Sequence, residues 1–232
     1  MPIHRRAVAW VGPGLFRFSV ARFLAALVLL FVASPFIEAM RDGAVVESVI
    51  ATVVVCMGVL AVGGRRRTLV LAVLLVLPAV VGNWAHHIWP ERFPMEAVLA
   101  SRLVFLAFVV ARLLVFILRA PKVNSEVLCA GVSVYLLIGL VWALGYRMLA
   151  PDAFAFSVPP SSTHEMTRFN AFYFSFITLT TVGYGDITPV SPIARMLAVM
   201  EAMTGTLFLG VLIARLVSLY SAPGPAESPR QE

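Results

Sequence analysis

Runs of about twenty apolar residues, the length a helix needs to cross the hydrocarbon of a bilayer, recur along this chain at 23–38, 44–63, 68–85, 95–118, 127–149 and 192–219. Lipid offers no partner for backbone polar groups, so each run must bond its own peptide groups, and six transmembrane helices are expected. Composition agrees: 60% hydrophobic and 13% charged residues lie far from the half-apolar, quarter-charged balance of soluble domains. The formal charge of +6 raises nucleic acid as a partner, but the basic residues sit mostly between apolar runs, where they orient helices, and no nucleic-acid partner is expected. Cys56 and Cys129 both fall inside apolar runs, which predicts two free, buried thiols.

Charge in the connectors sets direction. Arg5, Arg6, Arg17 and Arg22 precede the first run, "GGRRR" forms the second connector, and Arg119 and Lys122 lie in the fourth; these three are expected on the cytoplasmic side. The connectors with Glu38, Arg41 and Asp42, and with Glu91, Arg92 and Glu96, have no basic excess and belong outside. Both termini then lie inside. A cleaved signal peptide around "FLAALVLLFVAS" is the rival reading of the start, although its basic lead is long for one. The polar tail "SAPGPAESPRQE" is expected to be disordered, with no room left for a soluble regulatory domain.

Between the fifth and sixth runs lies "FNAFYFSFITLTTV", residues 169–182, apolar but too short to cross. Both neighbouring helices have their ends outside, so this segment must enter from outside and return. Its return limb, "TLTTVGYGDITP", residues 178–189, is non-helical backbone at membrane depth, tolerated only where it packs in protein or lines a watery path. Gly183 and Gly185 can take backbone angles closed to other residues, which lets successive carbonyls aim to one side. A column of carbonyl oxygens can replace the water shell of an ion.

The run "TVGYGD", Thr181, Val182, Gly183, Tyr184, Gly185 and Asp186, preceded by a short apolar helix and followed by a long one, resembles the selectivity-filter signature of the potassium channel family. The resemblance covers about residues 127–220, the outer-helix, pore-loop and inner-helix unit of the tetrameric cation channels. It implies an all-α membrane protein with a re-entrant pore helix between helices five and six, four subunits around one axis, and K+ held by the carbonyls of Thr181, Val182, Gly183 and Tyr184 with the Thr181 hydroxyl. No organic or metal cofactor is implied besides the permeant K+, and the partners are the lipid bilayer and three further copies. The Tyr184 ring is expected to point away from the axis.

In that family the aspartate after the filter is held by a tryptophan or a glutamate of the pore helix. Here Tyr173 and Ile177 occupy those positions, so a bond from the Tyr173 hydroxyl to Asp186 is expected, the other reading of Tyr173 being an aromatic packing residue whose hydroxyl reaches headgroups, with Thr178 and Thr180 also supporting the pore helix. Gly205 matches the hinge glycine of the inner helix; its other reading is close helix packing. Thr206, Leu209, Ile213 and Val217 share one helix face and would line the cavity. Glu201 lies one turn before Gly205, and an intramembrane carboxylate marks a functional position. It would be protonated and bond to Thr178 or Thr180 behind the filter, or face the cavity and attract cations.

The first four helices would form a sensor-like bundle, 23–118, after a cytoplasmic segment 1–22 and before a linker 119–126, the pore domain 127–220 and a tail 221–232. Steep voltage gating needs arginines at every third position of the fourth helix, and Arg102, Arg112 and Arg119 are spaced by ten and seven. Arg102 is expected to pair with Glu47. The short linker, broken by Pro121, predicts that each bundle packs on its own subunit's pore. His86, His87 and Glu91 form no completed metal or catalytic set, so no enzyme is expected, and His164 reads as a loop residue. The reading is a potassium-selective channel in a cell membrane, a bacterial inner membrane by its arginine-heavy usage; a nonselective cation channel and a potassium transporter subunit are the alternatives.

Overall fold

The computed structural model describes residues 13–38, 43–62, 66–89, 92, 94–157 and 166–220. The expectations placed on the first twelve residues, on Glu91 and His164, on the side chains of Glu47, His86 and His87, and on the tail lie outside them. The long helices are α1 (Pro13–Glu38), α2 (Gly43–Val62), α3 (Arg66–Ile88), α4 (Met95–Arg119), α5 (Ser125–Arg147) and α7 (Pro192–Tyr220), with the shorter α6 (Arg168–Leu179) before the last. Among the described residues, four stretches are long and apolar enough to cross a bilayer: Thr68–Ala85, Met95–Arg119, Ser125–Arg147 and Pro192–Ser218. The described apolar parts of α1 and α2 are shorter, Val20–Phe36 and Ser48–Leu60. α1 also starts well before its apolar run, at Pro13, a residue whose fixed φ suits the first turn of a helix.

Two compact units divide the chain inside α4, between Val109 and Val110, upstream of the connector at 119–126. In the first, Phe23 and Leu27 of α1, Val54 of α2, Ala72 and Ala79 of α3, and Phe105 and Val109 of α4 are buried. Arg102 of α4 donates to the side-chain oxygen of Asn83 on α3, a partner that residue spacing did not single out. Both cysteines are free, but Cys56 is exposed. An apolar run destined for lipid is apolar on every face, so membership of the run does not place a side chain inside.

The second unit is built on capped helices. Asn124 accepts from Val127 N–H at 3.0 Å to start α5, Thr167 from Asn170 N–H at 3.1 Å to start α6, and the Ser191 hydroxyl from Ala194 N–H at 3.1 Å to start α7, whose first residue is a proline. An element that the all-α expectation lacked is a two-stranded antiparallel ribbon. Strand β1 (Phe154–Phe156) pairs with β2 (Ile187–Pro189) in the register Phe154 to Pro189 and Phe156 to Ile187. It ties the chain just after α5 to the chain just after the TVGYGD run. Beneath it, the rings of Tyr146, Phe154 and Phe174 meet edge to face, with centroids 4.9 to 5.7 Å apart, the geometry their quadrupoles favour.

Candidate functional site

The return limb leaves α6 by folding back on it. Thr180 N–H donates to Phe176 O at 3.1 Å, Thr181 N–H to Thr178 O at 2.9 Å, and Val182 and Gly183 N–H both to Ile177 O, at 2.9 and 3.1 Å. The last carbonyls of a helix lack intrahelical partners, and here the limb supplies them. Every peptide bond here is trans, and a trans planar peptide points its C=O opposite its N–H. The N–H groups of Val182 and Gly183 face α6, so the carbonyls of Thr181 and Val182 face away from it, on one side. Two neighbouring carbonyls normally alternate sides in extended chain. The limb departs from extended chain, with positive φ at every second residue: Thr181 at 60°, Gly183 at 55° and Gly185 at 81°.

The glycines were expected to adopt such angles; the threonine was not, since a β-branched residue rarely does. The signal was nonetheless present, because Thr181 stands two residues before Gly183, as Gly183 does before Gly185. Thr180 to Gly185 are exposed, Tyr184 by 72%. The Tyr184 ring therefore has little packing within its own chain.

Asp186 closes the limb. Tyr173 donates its hydroxyl to Asp186 Oδ2 at 2.7 Å, the pairing singled out from the sequence, while Asp186 Oδ1 accepts from Ile187 N–H at 3.1 Å and the Asp186 carbonyl from Ser157 N–H at 2.7 Å. Burial first, then the bond to Asp186, push the Tyr173 hydroxyl up to about 12, so it keeps its proton at ordinary pH. Ile177, in place of the family's glutamate, is a buried apolar residue whose backbone carbonyl accepts from Val182 and Gly183.

Glu201 requires a correction. It is completely buried and bonds neither Thr178 nor Thr180: Tyr146 of α5 donates to its Oε2 at 2.5 Å, and Ser175 of α6 meets its Oε1 at 2.5 Å. Thr180 turns its hydroxyl to Phe176 O at 2.6 Å, and it lies beyond the end of α6, whereas Ser175 is on the buried side of α6. Gly205 is buried, and a Cβ there would run into the carbonyl oxygen of Leu179, the last residue of α6. The geometry thus places this glycine at a close approach of two helices. Thr206, Leu209, Ile213 and Val217 are all exposed along α7. Near its end, Arg215 donates through Nη2 to the carbonyls of Leu118 and Ala120 at 3.1 and 3.2 Å, where α4 runs out of intrahelical donors.

A profile of the family described as "Ion channel" matches residues 125–222. Protein LctB of Bacillus caldotenax is 30% identical over 100 residues, 41% of this chain and 74% of that protein. The chain belongs to the ion channel family. Two-pore potassium channel 4 of Arabidopsis thaliana is 36% identical over 84 residues, 36% of this channel chain and 30% of the plant protein. An inward rectifier potassium channel of Paramagnetospirillum magnetotacticum is 32% identical over 91 residues, 39% and 28% of the two chains. The channel chain spans less than a third of the length of those two relatives. With its long apolar helices, it is a multi-pass membrane protein. The family match takes in the whole of α5, α6 and α7, so the limb with its positive φ angles, the Tyr173 to Asp186 bond and the Glu201 contacts all lie within the channel region.

Proposed function

We propose that the chain is one subunit of a homotetrameric potassium channel that conducts K+ passively and selectively across a bacterial cell membrane, with six membrane-spanning helices and both termini in the cytoplasm. The observation that carries this reading is the same-side aim of the Thr181 and Val182 carbonyls, with positive φ at Thr181, Gly183 and Gly185. In this reading the carbonyls of Thr181, Val182, Gly183 and Tyr184, with the Thr181 hydroxyl, replace the hydration shell of K+. One chain supplies one side of each site, and four complete the rings. Exposure supports the assembly: only 11% of the α7 span is buried within one chain, and Tyr184 awaits a neighbour. The face of Thr206, Leu209, Ile213 and Val217 then lines the cavity, with its cytoplasmic end closing as an apolar constriction.

Voltage contributes little to gating in this proposal. Arg102 is held by Asn83, and Arg102, Arg112 and Arg119 are spaced too widely for a ladder of transferable charge. The test is the reversal potential of the purified channel in planar bilayers under opposed K+ and Na+ gradients. A value at the K+ equilibrium potential, with current lost in Gly183→Ala, is expected. A value near zero would reassign the pore to nonselective cations, and flux without unitary currents would turn the reading to a transporter subunit.

A further inference from the structure

Ser175 has one hydroxyl proton and two close oxygen neighbours. Its Oγ lies 2.7 Å from the Gly139 carbonyl on α5 and 2.5 Å from Glu201 Oε1 on α7. A carbonyl only accepts, and an ionised carboxylate only accepts. With Glu201 charged, the single Ser175 proton would serve one contact and the other would press lone pairs together at hydrogen-bond distance. Tyr146 does not relieve this, because its one hydroxyl proton is directed to Oε2. One additional proton, on Oε1, completes the set: Tyr146 donates to Oε2, Oε1–H donates to Ser175, and Ser175 donates to the Gly139 carbonyl.

We propose that Glu201 is a neutral carboxylic acid whose proton ties α7 to α6, and through Ser175 to α5, making Glu201 a positioning residue for the pore helix behind the filter. Glu201 and Ser175 are both at 0% exposure, where an unpaired carboxylate is costly and a fully paired neutral network is not. The helices are drawn together at this point: a Cβ on Gly139 would enter the Phe176 ring. Among the described residues, two titratable groups face Glu201, Tyr146 and Tyr135, both from α5, while α6 presents the neutral Ser175. Removing the proton in alkali leaves a charge in a dry site and makes Ser175 choose between Glu201 and Gly139, which loosens α6 from one neighbour. The effect on conduction rests on the channel reading above; the proton count does not.

Two experiments on the full chain in lipid test the proposal. Infrared difference spectroscopy at neutral pH is expected to show the carbonyl stretch of a protonated carboxyl that disappears in Glu201→Gln and shifts in Ser175→Ala, where the acid loses its acceptor. In bilayers, wild-type selective current is expected to fall in alkali; Glu201→Leu loses selective current, and Glu201→Gln, which donates to Ser175 and accepts from Tyr146 without titrating, restores it and flattens the pH profile. Absence of the carboxyl band, an unmoved band in Ser175→Ala, or a Gln variant no better than Leu overturns the proposal. The spectroscopic arm is read in protein that passes no K+, so a failed channel reading and a failed proton assignment give different results.

Discussion

Behind the TVGYGD limb, Tyr146, Phe154 and Phe174 lock edge to face and Glu201 and Ser175 are sealed from solvent, whereas in front of it Val182 is 52% exposed and Tyr184 72%. The back is completed by contacts within one chain, drawn from α5, α6, α7 and the ribbon. The front is left open, with carbonyls directed into space that this chain does not fill. The difference teaches where each kind of substitution should register: at the back in the packing of the subunit and, through it, in the set of the limb, at the front as conduction with the subunit intact.

The largest expected effect is at the front. Gly183→Ala should abolish K+ current while thermal unfolding of the subunit in detergent stays near that of the wild type, because a Cβ there meets nothing within 4 Å and the strain lies in the positive φ alone. A large fall in melting temperature would break the comparison. Next comes the back: Gly205→Ala drives a methyl into backbone at Leu179, and overpacking of this kind should destabilise by about 1–3 kcal/mol, read from the same melting curves. Tyr173→Phe sits on the border and removes one partly exposed hydrogen bond, about 1 kcal/mol, expected as faster current decay during sustained opening. A tyrosine value raised from about 10 to about 12 leaves that bond whole below the lower figure and lost as pH climbs through the higher, so the Phe variant's difference from wild type should be flat across neutral pH. The smallest effect, roughly 0.5 kcal/mol, is expected for Thr167→Ala, which removes the cap of α6.

What the residues announce in advance follows the same division. The helices show because bilayer length and apolarity are properties of single runs, and the limb shows because its glycines and spacing are local. The Tyr173 to Asp186 bond was within reach for a related reason: both residues belong to one loop. Glu201's partners were not, because Tyr146 lies 55 residues away and reads as one more aromatic in an apolar run. Which face an all-apolar helix buries is settled by its neighbours, and that also misplaced Cys56. The ribbon escaped because each strand is only three residues, too few to show alternation, and one of them ends in proline.

The ribbon has a consequence for how such a pore is put together. With Phe154–Phe156 holding Ile187–Pro189, and the N–H groups of Val190 and Ser191 both donating to the Ala153 carbonyl, the loop has both feet fastened within its own polypeptide. A hoop anchored at both feet does not wait for neighbours to acquire its shape. In the proposed tetramer each newly made subunit would bring its quarter of the pathway already bent, leaving assembly as the docking of finished parts.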